Sequence, residues 1–205
     1  MNKTALIIGD SPLIKKVEYE LPYILNKYFS LGINRIIQMY PTSKHIFLDV
    51  GMINITNKYQ NIPVITVPQY DPLIITKERE LINTFCNPVD LIYDCLQDIK
   101  IINQYGELAW CGFTHDYAIS YLIHQGYKNI VLIGTADFTL GTHYINKNVV
   151  FHRSDRLQKH SIQFINYLHQ AHYATFYTIN ENSPLNINYI TVEDLMNQTL
   201  DKADN

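Results

Sequence analysis

Cysteine is scarce in this chain, and long apolar runs are missing. Among its 205 residues there are three cysteines, Cys86, Cys95 and Cys111, and no CxxC pair. An odd cysteine count without paired spacing favours reduced core thiols in a cytoplasmic protein over a disulfide framework. No apolar run approaches the ~20 residues of a membrane-spanning helix, and the run that begins at Ala5 is too short for a signal peptide. We therefore expect a cytoplasmic location and no transmembrane segment.

Strong charge of either sign is also lacking. The net charge is −3, the isoelectric point is about 6.2, and Lys and Arg are scattered along the chain. This balance disfavours a broad surface for a phosphate backbone, so nucleic acid is not the expected partner. The length suits one α/β domain, which we expect to span residues 1–205.

Several motifs that identify enzyme classes are missing. There is no GxGxxG and no P-loop to cradle phosphate, and no GxSxG elbow of a hydrolase. No HExxH, DxD or paired-cysteine motif predicts a metal ion, although Asp137 with His143 or His152 is an alternative ion site. His169 and His172 are expected to be solvated positions on a helix.

Apolar strand-like runs alternate with amphipathic helical segments. Strands are predicted at 5–8, 33–39, 44–50, 62–68, 129–134 and 174–179, and helices at 13–29, 89–102, 117–125, 155–170 and from 191 onward. Gly32 is expected to end the first helix. Unbroken apolar strands separated by helices predict an α/β, Rossmann-like fold with a mainly parallel sheet and helices on both faces. Residues 69–87 and 135–152 are candidate active-site loops.

A polar turn follows the first predicted strand. Gly9 lets the backbone approach a ligand closely, and Asp10 and Ser11 offer side-chain oxygens. Ligands of open α/β sheets bind at the carboxyl ends of the strands, where the next helix presents free N–H groups. This turn is therefore a candidate binding site. The alternative is an ordinary strand-to-helix turn with Asp10 or Ser11 as the N-cap.

Four more polar residues stand at predicted element ends. Asp49 ends the third strand and Asp137 follows the strand at 129–134, where a carboxylate either meets a ligand or caps the next element. Thr114 is either an N-cap or a hydroxyl that faces a ligand. His152 closes a polar loop before a helix, where an imidazole can act as a general base near neutral pH.

Taken in order, these motifs resemble the bacterial sialyltransferases of glycosyltransferase family 42 and the related motility-accessory-factor group. The matching segments are 8–13, 32–35, 46–49, 126–138, the loop with Tyr144, His152 and 182–185. The resemblance implies a Rossmann-like domain that transfers a sugar, such as sialic acid, from a nucleotide-sugar donor to a glycan hydroxyl without a metal ion. A CMP-sugar is the donor that this family implies.

The resemblance also implies roles for the candidate residues on the donor side. Asp10, Asn34 and Asp49 would line the nucleoside site, and Thr114 would approach the phosphate. Asp10 and Asp49 stand where the family has asparagine. Because carboxylates repel phosphate, they would instead accept hydrogen bonds from ribose hydroxyls or a base amino group.

The catalytic roles fall on a later part of the chain. By the same resemblance, His152 would take the proton of the acceptor hydroxyl and Tyr144 would approach the donor phosphate. Arg153 would balance the charge of the leaving phosphate. No further cofactor is expected.

The expected partners are a nucleotide sugar and a surface glycan acceptor. Peripheral membrane contact and a homo-oligomer are also compatible with the sequence. Two alternatives stay open. One is a non-catalytic nucleotide- or glycan-binding accessory protein. The other is a related transferase acting on a small molecule or a modified nucleic acid base.

Overall fold

A parallel β-sheet organises the chain. The computed structural model describes residues 3–76, 78–81, 85–86, 108–109, 113–136, 138, 155–197 and 200. In this part of the chain the strands are β1 (Thr4–Ile8), β2 (Phe29–Ile33), β3 (Lys44–Ile46), β4 (Val64–Thr66), β5 (Arg79–Leu81), β6 (Phe85–Cys86), β7 (Leu108–Ala109), β8 (Asn129–Ile133), β9 (Thr175–Thr178) and β10 (Asn188–Tyr189).

Five α-helices and four 3₁₀ helices are described in the same part of the chain. The α-helices are α1 (Leu21–Lys27), α2 (Ile53–Thr56), α3 (Thr114–His124), α4 (Asp155–Gln170) and α5 (Val192–Met196). The 3₁₀ helices are Pro12–Val17, Asn34–Gln38, Val50–Met52 and Pro68–Leu73.

Strand order in the large sheet is β10-β9-β8-β1-β2-β3-β4-β5, and every pair in it is parallel. The chain starts near the middle at β1, runs outward through β2 to β5, and returns to the other side of β1 with β8. The strand order therefore reverses between β1 and β8, which is where open α/β sheets bind ligands. The α/β, Rossmann-like prediction is confirmed.

Alternating residues of β1 enter two hydrophobic clusters on opposite faces of the sheet. Ala5 and Ile7 pack in a cluster with residues of α3 and α4, whereas Leu6 and Ile8 pack in a cluster with Leu21 of α1. All five β1 residues are buried. Helices therefore cover both faces, as a buried parallel strand requires.

The predicted helix over 13–29 was wrong in its bounds. The segment forms the 3₁₀ helix Pro12–Val17 and then α1, with Pro22 in the first turn of α1, where a missing N–H costs nothing. Gly32 does not end a helix but lies inside β2, where an added Cβ would be 2.6 Å from the Thr42 hydroxyl oxygen. The strand predicted at 33–39 therefore starts about four residues too late.

The first candidate loop, 69–87, contains regular secondary structure. Within 69–87, β5 pairs in parallel with β4, and Pro68–Leu73 is a 3₁₀ helix. The predicted helix over 155–170 matches α4, and the predicted helix and strand at 117–134 match α3 and β8. The predicted helix over 89–102 and almost all of the candidate loop 135–152 lie outside the described residues. None of the described helices has the length and apolar character that crossing a membrane needs.

Candidate functional site

The loops that follow β1 and β8 contact each other at the reversal of strand order. Gly9 N donates to Ile133 O at 2.9 Å, and Ser11 N donates to Gly134 O at 2.9 Å. A Cβ on Gly9 would lie 2.5 Å from the Gly134 carbonyl oxygen, so only glycine fits there. The turn at Gly9 therefore lies at the carboxyl edge of the sheet where the strand order reverses, the usual position of ligands in open α/β sheets.

Asp10 and Ser11 have different positions in that turn. Ser11 Oγ accepts a hydrogen bond from Leu13 N at 3.2 Å and caps the 3₁₀ helix Pro12–Val17. The N-cap alternative therefore describes Ser11. Asp10 is only 6% exposed, although it directly follows the carboxyl end of β1. A buried acceptor at this edge suits recognition of a hydroxyl or an amino group.

Asn34 and Thr114 meet at the same edge, although 80 residues separate them in the sequence. The Thr114 hydroxyl donates to Asn34 Oδ1 at 3.2 Å. Asn34 was predicted near the start of a strand, but it follows the carboxyl end of β2 and starts the 3₁₀ helix Asn34–Gln38. Thr114 is buried and is the first residue of α3. The structure thus brings two predicted site residues together.

Asp49 has the capping role that the sequence left open. It is exposed beyond β3, and its Oδ1 accepts the Gly51 backbone N–H at 2.8 Å to cap the 3₁₀ helix Val50–Met52. Its carboxylate therefore stabilises a turn.

Unusual backbone conformations concentrate at this edge of the sheet. Of the four described non-glycine residues with positive φ, three lie in the loops after β2 and β8: Asn34 (53°), Ala136 (54°) and Phe138 (51°). Each such conformation costs about 1–2 kcal/mol for a residue with a Cβ. Strain of this kind is held by the surrounding structure and is typical of binding and catalytic sites.

An aromatic contact ties the loop after β8 to the start of α3. The His115 ring stacks on Phe113 with centroids 5.0 Å apart and meets the Phe138 ring edge-on at 5.6 Å. Phe113 and Phe138 also meet edge-on at 5.7 Å. Phe138 therefore shares its packing with the residues that flank Thr114.

Sequence reasoning missed a polar cluster at the start of α3. Adjacent residues on a helix do not usually face each other, yet His115 Nε2 lies 3.4 Å from Asp116 Oδ1. Both side chains meet Ser161 of α4, which is fully buried. The one signal in the sequence was the position of Asp116 at the third residue of α3, where a carboxylate accepts the N–H of the capping residue.

Several predicted site residues lie outside the described residues: Asp137, Tyr144, His152 and Arg153. Their roles stay predictions. In the described part of the chain, no group of three His, Cys, Asp or Glu side chains is arranged to hold a metal ion.

The two histidines at the end of α4 behave differently from each other. His169 Nδ1 accepts a hydrogen bond from Phe176 N at 3.2 Å, and burial, followed by the nearby His172, lowers the pKa of His169. His169, predicted to be solvated, is therefore only partly exposed, because its ring accepts a hydrogen bond from β9. His172 is exposed, as predicted.

No family model matches the chain, and no curated protein matches its sequence. Solved structures do match. The monofunctional α-2,3-sialyltransferase Cst-I from Campylobacter jejuni superimposes with a TM-score of 0.52 and 15% identity, covering 91% of this chain and 81% of its own. The sialyltransferase CstII from the same organism, in complex with the substrate analogue CMP-3FNeuAc, gives 0.51 and 15%, covering 92% and 86%.

A second structure of CST-II, in complex with a trisaccharide acceptor and CMP, gives a TM-score of 0.52 at 16% identity, covering 91% of this chain and 86% of its own. At this level of identity the likeness is one of fold. The resemblance noted from the sequence is confirmed at that level: this chain shares its fold with bacterial sialyltransferases.

Proposed function

We propose that this chain is a glycosyltransferase that binds a nucleotide-sugar donor at the carboxyl edge of β1, β2 and β8. The fold similarity to sialyltransferases supports a glycosyltransferase role. The observation that carries the proposal is the contact between Asn34 and Thr114, at the edge of the sheet where Gly9 lies against Gly134.

The polar groups at this edge suit a nucleoside. Asn34 Oδ1 is taken by Thr114, which leaves the two Nδ2 hydrogens of Asn34 to donate to a ligand. Asp10 is buried at the same edge, and by the resemblance its carboxylate accepts hydrogen bonds from ribose hydroxyls or a base amino group. By analogy with the solved neighbour that holds CMP, a cytidine nucleotide is the proposed donor class.

In the proposed reaction, the bond between the anomeric carbon and the phosphate oxygen breaks, and a bond to the acceptor oxygen forms. His152 takes the proton from the acceptor hydroxyl as a general base. Tyr144 and Arg153 stabilise the negative charge that develops on the leaving phosphate, which removes the need for a metal ion. The acceptor is a glycan hydroxyl, by analogy with the neighbour that holds a trisaccharide acceptor. We propose a cytoplasmic location, where the donor is available.

A thermal-shift panel tests donor binding. CMP, CDP, UMP, UDP, GDP, ADP and their sugars are added to the wild type, Asn34→Ala and Asn34→Gly. A ligand at about 100 times its Kd stabilises the folded state by about 2.7 kcal/mol, which raises Tm by several degrees in a chain of this size. We expect a shift with a cytidine nucleotide that is lost in both variants.

The glycine variant is the control for folding. Asn34 has φ 53°, which glycine adopts without strain, so Asn34→Gly removes the side chain while the backbone stays relaxed. Loss of the shift in Asn34→Gly therefore reports the lost amide. A shift with another nucleotide keeps the transferase and discards the cytidine donor. No shift with any nucleotide in the wild type contradicts the proposal.

Turnover distinguishes an enzyme from a binding protein. We expect wild-type protein to hydrolyse or transfer the donor sugar, and His152→Ala to bind the nucleotide equally well but to lose turnover. Tight nucleotide binding without turnover in the wild type would instead indicate the non-catalytic accessory protein.

A further inference from the structure

A buried polar cluster lies next to the proposed donor site and has no part in the proposed sugar transfer. It consists of His115 and Asp116 at the start of α3 and Ser161 on α4, which are 5%, 0% and 0% exposed. His115 Nε2 lies 3.0 Å from Ser161 Oγ, and the Ser161 hydroxyl donates a short hydrogen bond to Asp116 Oδ1. Polar groups this deeply buried are costly unless their hydrogen bonds are satisfied, so the arrangement calls for a role.

The direction of these hydrogen bonds follows from the number of hydrogens. A serine hydroxyl has one hydrogen to donate, and Ser161 donates it in the hydrogen bond to Asp116. Ser161 Oγ therefore accepts a hydrogen bond from His115 Nε2–H. The second carboxylate oxygen of Asp116 accepts the backbone N–H of Phe113 at 3.1 Å. His115 therefore donates to Ser161, and Ser161 donates to Asp116. Asp116 also accepts the backbone N–H of Phe113, the residue that precedes Thr114.

The same three residue types form hydrolytic triads, but this arrangement is different. In a triad the hydroxyl of the nucleophilic serine is hydrogen-bonded to the histidine, which takes its proton. The Ser161 hydroxyl instead donates its hydrogen bond to the Asp116 carboxylate. Ser161 also has no exposed surface from which to attack a substrate. The cluster is therefore suited to hold the backbone at the start of α3 in place.

Packing around His115 supports a positioning role. Its ring is in contact with Phe113 on one side and with Phe138 on another. Phe138 has φ 51°, a conformation that persists only where its surroundings impose it. The cluster thus connects α4, the start of α3 and the loop after β8.

We propose that His115, Asp116 and Ser161 form a positioning unit that holds Thr114 against Asn34. The Thr114 hydroxyl fixes the Asn34 carboxamide oxygen, so the amide hydrogens are left to donate to an acceptor group of the ligand. That acceptor is a carbonyl of the base or an oxygen of the ribose or phosphate. This inference rests on the proposed function, because it assigns Asn34 to the donor site.

Ser161→Ala tests the positioning unit against a matched control, Ser120→Ala. Both serines are buried and bond to Asp116, but Ser120 donates to its backbone oxygen, at 3.1 Å, inside α3. Two readouts are measured for each variant: the Kd for CMP by calorimetry, and the exchange rate of the Phe113 amide hydrogen by NMR.

In Ser161→Ala we expect faster exchange at Phe113, because Asp116 loses the partner that fixes its carboxylate. We also expect a Kd for CMP about three to ten times higher, which corresponds to one hydrogen bond lost at the ligand. Ser120→Ala should match the wild type in both. Unchanged exchange at Phe113, or an unchanged Kd in a folded Ser161→Ala protein, overturns the inference.

Thr114→Val provides a second variant where Ser161→Ala does not fold. It replaces the hydroxyl with a methyl group and keeps the shape of the side chain. We expect the same rise in the Kd for CMP, together with a changed NMR shift of the Asn34 side-chain amide. An unchanged amide shift overturns the inference. If the wild type binds no nucleotide, the proposed function fails, and the Phe113 exchange and Asn34 shift still decide whether the unit positions these residues.

Discussion

Gly9 and Gly134 lie against each other where the strand order of the sheet reverses. A Cβ on Gly9 would be 2.5 Å from the Gly134 carbonyl oxygen, and a Cβ on Gly134 would be 2.9 Å from the Gly9 carbonyl oxygen. Both obstacles are backbone atoms, which cannot turn away as a flexible side chain can. The closeness of the two loops at the proposed donor site therefore depends on both glycines.

Gly9→Ala should consequently destabilise the protein by about 1–3 kcal/mol, the range for overpacking a rigid site. Urea denaturation followed by circular dichroism measures this. Gly51→Ala is the control, because the nearest atom to its new Cβ belongs to the exposed side chain of Asp49, at 3.2 Å. We expect it to change the free energy of unfolding by less than about 1 kcal/mol. Equal stabilities for the two variants would show that the loops can separate at little cost.

His45 should make stability fall in acid. It is fully buried in β3, and burial lowers its pKa from 6.5 to about 3. In the described part of the chain, neither ring nitrogen has a hydrogen-bond partner. Below pH 6.5 the unfolded chain binds a proton that the folded protein does not, until the pH reaches about 3. Stability from this residue is therefore complete above pH 6.5 and is lost between these limits, by up to about 1.4 kcal/mol per pH unit.

His45→Leu should remove that slope. Chemical denaturation at several pH values gives the difference in unfolding free energy between the variant and the wild type, and we expect this difference to move in favour of His45→Leu as the pH falls. Ile46→Val is the control: it changes a buried apolar side chain of the same strand that carries no titrating group. Its difference from the wild type should not vary with pH. A constant difference for His45→Leu as well would contradict the prediction.

The parts of the fold that the sequence predicted well are those with strong periodicity. The amphipathic segment over 155–170 has the bounds of α4, and the strand predicted at 129–134 matches β8 to within one residue. The segment at 13–39 was misread because Gly32 was interpreted as the end of the first helix. Pro22 lies in the first turn of α1, and glycine is needed at position 32 of β2 because the neighbouring Thr42 leaves no room for a Cβ. That reason is a tertiary contact, which periodicity cannot reveal.

The candidate site was predicted from the ends of the predicted elements and from a resemblance. Gly9 and Thr114 lie at the expected edge of the sheet. Asn34 also lies there, although the strand before it was predicted about four residues too late. The cluster around Ser161 was not predicted, because Ser161 is one small polar residue in an amphipathic helix. Only the packing of α4 on α3 shows that its hydroxyl meets Asp116.

A double-mutant cycle on Lys44 and Glu80 should show that they hold the far edge of the sheet together. Lys44 Nζ lies 2.6 Å from Glu80 Oε2, and the Tyr121 hydroxyl donates to the same oxygen at 2.7 Å. Burial, and then the hydrogen bond to Glu80, raises the pKa of Tyr121 to about 12, so the phenol remains a donor at neutral pH. The contacts join β3, β5 and α3.

We expect a coupling energy of about 1 kcal/mol between Lys44→Met and Glu80→Gln, at the upper end for a pair that is about one-third exposed. The coupling should decrease in about 0.5 M NaCl, which screens exposed charges. The control cycle uses Lys16 and Glu181, whose charged atoms are 4.0 Å apart and more exposed, and it should give nearly zero. Equal couplings in the two cycles would mean that the shared contact with Tyr121 adds nothing.

Tyr28 should hold the last described helix against the sheet. Its hydroxyl donates to the Leu195 carbonyl oxygen at 2.9 Å, and Lys27 Nζ donates to the next carbonyl, of Met196, at 2.6 Å. The two bonds satisfy carbonyls at the carboxyl end of α5, which lack partners within the helix. Tyr28→Phe keeps the ring but leaves a buried carbonyl without its donor, so we expect a loss of about 1–2 kcal/mol. Tyr19→Phe, at a residue 90% exposed, is the matched control and should have no effect.

Native-state hydrogen exchange separates local from global effects of Tyr28→Phe. If the hydroxyl anchors α5, the amide hydrogens of Leu195 and Asn197, which bond within that helix, should exchange faster in the variant. Amide hydrogens in β1 open only with global unfolding, so they should follow the total stability. Equal acceleration in β1 and α5 would mean that Tyr28 stabilises the whole fold through packing, and that its hydrogen bond does not hold the helix in particular.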